Sequence, residues 1–195
     1  MDQQRQLVLA STSRYRKALL ERLGLAFEVA APGVDEKVLP GEKPADTAVR
    51  LSILKARALE KTFPDALIIG SDQVAASGER RFEKPGDHDN ALRQLSFLSG
   101  KAADFLTAVS LFDSKSGAIQ TRLVPCRVYF RTLDRKRIES YLRREQPYDC
   151  SASAKAEGLG IALIARMETD DPTSLIGLPL IALTEMLEHA GLPVV

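Results

Sequence analysis

Asp72 is the residue least explained by its neighbours in sequence. It follows the apolar run Leu67-Ile68-Ile69 after Gly70-Ser71, and Gln73 then leads into Val74-Ala75-Ala76. Asp is disfavoured in strands, and burying an ionised carboxylate without a partner is costly. A carboxylate held at the end of a buried strand can accept a proton or share a cation. The same residues also fit a strand that stops at Gly70 with Asp72 in a turn, although Val74-Ala75-Ala76 weighs against a full stop.

Other polar clusters suit phosphate chemistry. Ala10 to Lys17 reads ASTSRYRK. A helix starting there would offer unpaired N–H groups and a partial positive charge to an anion, with the hydroxyls of Ser11 and Ser13 and the charges of Arg16 and Lys17 close by. An ordinary capped helix accounts for the same residues. The Gly-x4-Gly-Lys-Ser/Thr spacing of a P-loop is absent. Asp35-Glu36 sits in a Pro/Gly-rich stretch and could help hold a hard cation such as Mg²⁺, or be a solvated acidic loop. Lys55, inside an Ala/Leu-rich segment, and Lys84, held extended by Pro85, could act as point charges on phosphate or be exposed lysines. Ser153, Lys155 and Glu157 would share one face of an extended segment, and Gly158 and Gly160 would permit close backbone approach. The basic stretch Arg131 to Arg144 lacks a glycine-aromatic RNA motif and reads best as a solvated helix face. His88 and His189 are isolated, and Cys126 and Cys150 form no metal pattern.

These residues need elements to hold them. Leu7-Val8-Leu9-Ala10 reads as a strand, Arg14 to Leu23 as a helix stopped by Gly24, and Phe27 to Ala30 as a second strand. Residues 31–43 form a loop, and a helix is expected from about Pro44 to Thr62. Leu67 to Ala76 is an apolar strand of the kind buried on both faces. Asp87 caps a helix reaching Leu98, and Phe105 to Phe112 pairs with Ile119 to Arg131 as a hairpin. Asp134 caps a further helix, Gly158 to Met167 is a last strand, and Pro179 and Gly191 bracket a final helix. Alternating helices and strands with one hairpin predict an α/β protein with a mixed sheet.

The 195 residues suit a single domain over 1–195, with 45% hydrophobic and 27% charged residues. A net charge of +1 gives no global pull toward nucleic acid or an anionic membrane, so neither is expected as a partner. No segment has transmembrane length, the N-terminus lacks a signal-peptide pattern, and a reduced cytoplasmic compartment is the expectation. Homodimer formation stays open.

Together the segments resemble the Maf family of nucleoside triphosphate pyrophosphatases. The resemblance rests on an ordered set spanning nearly the whole chain: ASTSRYRK, Val34-Asp35-Glu36, Lys55, GSDQV from Gly70 to Val74, EKP from Glu83 to Pro85, SAKAEGLGI from Ser153 to Ile161, and DPTSLIGLPL from Asp171 to Leu180. It implies a Maf/ITPase-like fold: a twisted mixed sheet flanked by helices, in two lobes with a central cleft. It implies cleavage between the α and β phosphates of a nucleoside triphosphate, aided by Mg²⁺ or Mn²⁺ at Asp72 and Glu36. Asp72 matches the family's general base, and Glu36, Lys55 and Lys84 match supporting catalytic positions. Ser11, Ser13 and Arg16 match the phosphate-binding turn, with Ser153 and Lys155 in a later substrate-binding motif. Tyr15, Gln73 and Glu157 look like the branch acting on 7-methyl-GTP. The alternatives are the branch cleaving dTTP or UTP, and a non-catalytic nucleotide-binding regulator of cell division. A methylated guanine carries positive charge, which an aromatic face attracts by about 1–2 kcal/mol when partly desolvated. Glu157 could accept from the guanine N1–H and amino group. Arg14 stands where Pro is common in the family, and Tyr15 where close relatives carry Trp.

Overall fold

Strand alternation organises the sheet. In the computed structural model, which describes residues 5–195, strand β1 (Gln6–Ala10) lies between β2 (Glu28–Ala30) and β3 (Ala66–Ser77), parallel to both. Successive side chains of a strand point to opposite faces. Leu7 and Leu9 accordingly pack with Leu67 and Ile69 against helix α1 (Arg14–Glu21) and helix α5 (Leu180–His189). Val8 and Ala10 pack with Ile68 against the other side, where helix α2 (Pro44–Arg57) contributes Ala56.

Beyond β3 the sheet becomes antiparallel. Strand β5 (Ala102–Asp113) pairs along most of β3, from Leu67 to Ala76, and forms the expected hairpin with β6 (Ile119–Phe130). Strand β7 (Ile164–Glu168) forms the far edge, and the short β4 (Arg80–Phe82) pairs with the end of β3. The order is β2-β1-β3-β5-β6-β7, with β4 off that path. Ala75, Phe105, Cys126, Val128 and Phe130 form a separate core with helices α3 (His88–Leu98) and α4 (Arg135–Glu145). The long strands thus run through three apolar centres, one under α1 and α5, one under α2 and one under α3 and α4.

Local chemistry sets the boundaries. The side chains of Ser13, Asp87 and Asp134 cap α1, α3 and α4 by accepting backbone N–H groups three residues ahead. Helix α2 ends at Arg57, five residues before the expected Thr62. Residues 58–63 tighten into turns, with Glu60 N–H on Arg57 O and Thr62 N–H on Leu59 O. Pro64 disfavours helical backbone at Phe63. Strand β4 falls in a segment with no apolar alternation. Pro179 is the residue before α5 and not its first helical residue.

The last expected strand is half helix. Residues Leu159–Leu163 form a 3-10 turn, and only Ile164–Glu168 is extended. Glycine explains this. A Cβ on Gly160 would lie 2.5 Å from Lys155 O, and one on Gly158 would lie 2.6 Å from Glu145 Oε2. The two glycines do allow close approach, but to the chain's own turn and to α4.

Candidate active site

Asp72 lies on the same face of β3 as Ile68 and Gly70, so it points toward α2. Helix α2 presents Ser52, Lys55 and Ala56 to that face, all buried. Gly70 makes the approach possible, because a Cβ there would sit 2.6 Å from Ala56 N and closer still to Ser52 O. Lys55 Nζ therefore reaches Asp72 Oδ1 at 2.7 Å and Glu36 Oε2 at 2.9 Å. The Lys55 and Asp72 side chains are only 6% and 9% exposed, whereas Glu36 is 56% exposed on its loop. This is a buried ammonium shared by two carboxylates of unequal solvation.

Burial pushes the Asp72 carboxyl above the usual carboxylate range, and the charges of Lys55 and Arg16 oppose that rise. A carboxylate of raised basicity is the better proton acceptor. Its second oxygen, Oδ2, has no hydrogen-bond partner among the described residues. Asp72 lines a cleft of about 790 Å³, within the size range of small-molecule sites.

The other face of β3 carries Ser71 and Gln73, which meet the segment 171–177. Ser71 Oγ donates to Gly177 O at 2.9 Å, and Gln73 Nε2 contacts Thr107 Oγ1 and the carbonyls of Ser174 and Leu175 at 2.9–3.0 Å. With its amide nitrogen committed, Gln73 can offer the cleft only its carbonyl oxygen. Gly177 O also accepts from Arg16 Nε at 2.8 Å. Asp171 holds this segment: its carboxylate accepts from Thr173 N–H at 2.9 Å and from Ile181 N–H at 2.8 Å.

The turn after β1 closes the cleft on one side. Ser11 is buried, and its hydroxyl accepts from Ser13 N–H at 3.1 Å and from Arg16 Nη1 at 3.5 Å. Ser11, Ser13, Tyr15 and Arg16 all line the cleft, as do Glu36, Lys55, Gln73, Lys84 and Glu157. Burial lowers the Arg16 pKa from its usual value, but a guanidinium stays charged at neutral pH.

Ser153 and Lys155 do not join them. The segment is not extended: Ser151–Ser153 is a single 3-10 turn with Ala152 and Ser153 both at φ 57°. That geometry breaks the alternation expected of Ser153, Lys155 and Glu157. Ser153 is fully buried and donates to Gln94 Oε1 at 2.7 Å. Lys155 Nζ pairs with Glu145 Oε1 at 2.5 Å, and Glu145 Oε2 accepts from Leu159 N–H at 2.7 Å. Both residues hold the late loop against α4. Only Glu157, which is exposed, reaches the cleft.

Two lining residues carry charge that sequence reasoning passed over. Arg81 of β4 donates to Thr47 Oγ1 at 3.0 Å and to Glu42 O, adding a cation to the wall. Asp149 accepts from the Tyr15 hydroxyl at 3.1 Å and from Arg14 Nη2 at 3.0 Å. The Arg14 guanidinium stands 4.9 Å from the Tyr15 ring centroid, so one face of that ring already receives a cation. No sequence signal links Asp149 to Tyr15, because the contact spans 134 residues.

Two carboxylates around one ammonium meet the simplest requirement for sharing a cation. Magnesium is commonly held by one or two carboxylates together with substrate phosphates, and Asp72 and Glu36 match that donor set. No group of three or more His, Cys, Asp or Glu residues suited to a metal occurs among the described residues. No helix among them is long and apolar enough to cross a membrane.

Residues 6–190 match the sequence profile described as Maf-like protein. The 7-methyl-GTP pyrophosphatase of Thiobacillus denitrificans is 58% identical over 188 residues, covering 96% of this chain and 94% of that relative. The 7-methyl-GTP pyrophosphatase of Nitrosospira multiformis is 55% identical over 190 residues, covering 97% of this chain and 96% of that protein. Among solved structures, the Staphylococcus aureus Ham1 protein aligns with a TM-score of 0.45 at 15% identity, covering 65% of this chain and 72% of that one.

Proposed function

The chain belongs to the Maf family, and from that premise we propose that it is a 7-methyl-GTP pyrophosphatase, releasing 7-methyl-GMP and pyrophosphate. The carrying observation is the buried Lys55–Asp72 pair opening onto a cleft that Tyr15, Gln73 and Glu157 also line. Relatives of more than half identity over nearly their whole length bear that name.

In the proposed reaction Asp72 accepts a proton from water through Oδ2, while Lys55 fixes Oδ1. The water oxygen bonds to the α-phosphorus, and the bond from that phosphorus to the bridging oxygen breaks. Pyrophosphate carries the electron pair away. Arg16, Lys84 and Arg81 supply positive charge along the cleft wall, and the Ser11–Ser13 turn offers donors to a phosphate. Catalysis of this kind rests on positioning and electrostatics. Asp72 and Glu36 would hold a divalent cation arriving with the triphosphate, which would neutralise phosphate charge. At the base, Glu157 and the Gln73 carbonyl oxygen accept from guanine N–H groups, and Tyr15 offers its ring to the methylated, cationic purine. A pyrimidine would leave these acceptors poorly paired.

Pyrophosphate release from 7-methyl-GTP, GTP, dTTP and UTP, with and without Mg²⁺, tests the reading. Preference for 7-methyl-GTP is expected. Preference for dTTP or UTP would assign the enzyme to the other branch, and binding without any turnover would make it a regulator. Asp72→Asn should keep the fold and lose roughly 10²- to 10⁴-fold in kcat; wild-type turnover in that variant removes Asp72 as the base.

A further inference from the structure

We infer that Asp149 is a positioning residue that makes the cleft selective for a cationic base, by clamping Tyr15 and cancelling the charge of Arg14. The inference rests on the proposed 7-methyl-GTP specificity and adds a residue to it.

Three side chains from two distant parts of the chain form the cluster. Arg14 and Tyr15 begin α1, directly after β1. Asp149 follows α4, which covers a different apolar centre. The Tyr15 hydroxyl donates to the Asp149 carboxylate, whose oxygens both lie at 3.1 Å, and accepts from Arg14 Nη2 at 2.8 Å. Arg14 Nη2 also reaches Asp149 Oδ2 at 3.0 Å. All three residues line the cleft.

Protonation states suit this network. Burial would raise the Asp149 carboxyl, but the Tyr15 hydrogen bond and the Arg14 charge outweigh it and hold it below the usual range. Burial raises the Tyr15 phenol, with the contact to Cys150 adding to the rise. Tyr15 is therefore a neutral donor and Asp149 an ionised acceptor at neutral pH.

Two consequences bear on the base. First, a ring pinned at its hydroxyl has less freedom to lose when a ligand stacks on it, and donation to a carboxylate polarises the phenol toward higher electron density. Second, Arg14 already places a planar, delocalised cation 4.9 Å from the ring centroid. A 7-methylguanine is also a planar, delocalised cation. The ring environment thus accepts this class of ligand, yet an uncompensated Arg14 would repel it. Asp149 supplies the compensation, leaving the Arg14–Asp149 pair neutral. Guanine without the methyl group is uncharged and gains little from this cancellation.

The test compares wild type with Asp149→Asn, Tyr15→Phe and the double variant, using 7-methyl-GTP and GTP. In Asp149→Asn the KM for 7-methyl-GTP should rise roughly three- to tenfold with kcat nearly unchanged. The 7-methyl-GTP to GTP ratio of kcat/KM should fall by a similar factor, and the loss should shrink as salt is added. Asp149→Glu should restore much of the ratio. Equal losses for both nucleotides mean a merely structural role and overturn the inference, as does an unchanged ratio. A double variant no worse than Tyr15→Phe places the effect in the clamp, whereas a further loss places it in charge cancellation. Calorimetric binding of 7-methyl-GMP and GMP separates this claim from the proposed function. A preference for 7-methyl-GMP that Asp149→Asn abolishes upholds the inference even without turnover. No preference in the wild type overturns both.

Discussion

Gly70→Ala probes how the fold delivers the Lys55–Asp72 pair. The new Cβ would stand 2.6 Å from Ala56 N and 3.0 Å from Ala56 Cβ, whereas ordinary contact begins near 3.4 Å. The obstructing nitrogen belongs to the backbone, so no side-chain rotation relieves the clash. Ser52 O, also backbone, lies closer still, so helix α2 must retreat from β3 by more than the ~0.8 Å that separates 3.4 from 2.6 Å, because a packed interior has no slack to absorb it. Lys55 rides on that helix, adjacent to Ala56. Retreat along the line to Asp72 stretches the 2.7 Å contact past about 3.5 Å, beyond hydrogen-bond range. Overpacking of this size costs about 1–3 kcal/mol, small enough for a folded protein, and should lower the melting temperature by roughly 3–9 °C. Misplacement approaching 1 Å at a catalytic group costs on the order of 10²-fold in rate. Thermal unfolding and kcat per folded enzyme, measured on one preparation, give both numbers. Wild-type values for both would refute the packing argument. A lowered melting temperature with unchanged kcat would show that Lys55 is placed by something other than the contact at Gly70.

Two further substitutions examine the loops around the cleft. Hydrogen bonds from Arg50 hold the Glu42 carboxyl down to about 2, and Arg50 also donates to Lys37 O, bracing the loop that carries Glu36. A depressed carboxyl stabilises the fold above its unfolded pKa of about 4.3, and that contribution is lost as pH falls toward about 2. Glu42→Gln should therefore melt below wild type at neutral pH, with the gap closing in strong acid; a gap independent of pH contradicts the ion-pair assignment. Lys155→Met should lower the melting temperature by removing the partner of Glu145 while leaving KM for the nucleotide unchanged. A KM raised tenfold or more would return Lys155 to the phosphate site.

The sequence revealed elements wherever one local signal sufficed. Asp87 and Asp134 announced α3 and α4 as caps, and the two long β-rich runs announced their hairpin. It failed where a contact distant in sequence decided the backbone. Strand β4 depends on pairing with β3, whereas the end of α2, in turns that run into Pro64, is a local feature that the Ala/Leu-rich composition masked. The Leu159–Leu163 turn depends on Glu145 of α4 accepting a backbone N–H. The site divides in the same way. Residue types marked Asp72, Lys55 and Glu36 as candidates, but only the packing of α2 on Gly70 makes them one ion cluster. Alternation assigned Ser153 and Lys155 to a shared face, and consecutive positive-φ residues at Ala152 and Ser153 removed the strand on which that depended. Asp149 gave no local sign at all.

Why three polar residues interrupt an apolar strand also has a topological answer. On one edge β3 is paired by β5 from Leu67 to Ala76. On the other edge β1 pairs only as far as Ile69, and β4 begins at Ala75. Gly70 to Val74 therefore lacks a neighbouring strand on that side. The gap lies where β1 has already turned away into α1, and the loops following β1 and β2 both contribute to the cleft. Open α/β sheets place ligands in such crevices beyond the carboxyl ends of parallel strands. An apolar side chain at position 72 would leave the Lys55 ammonium buried without this partner, whereas Asp72 meets Lys55 on one face and Gln73 meets the segment 171–177 on the other. A single strand can thus hold the proposed base and a proposed base-recognition group in adjacent positions without sharing a face. The separation between chemistry and selectivity is one residue of pleat. Because a one-residue slip exchanges the two faces, it would carry Asp72 away from Lys55 and abolish the site even if the sheet survived.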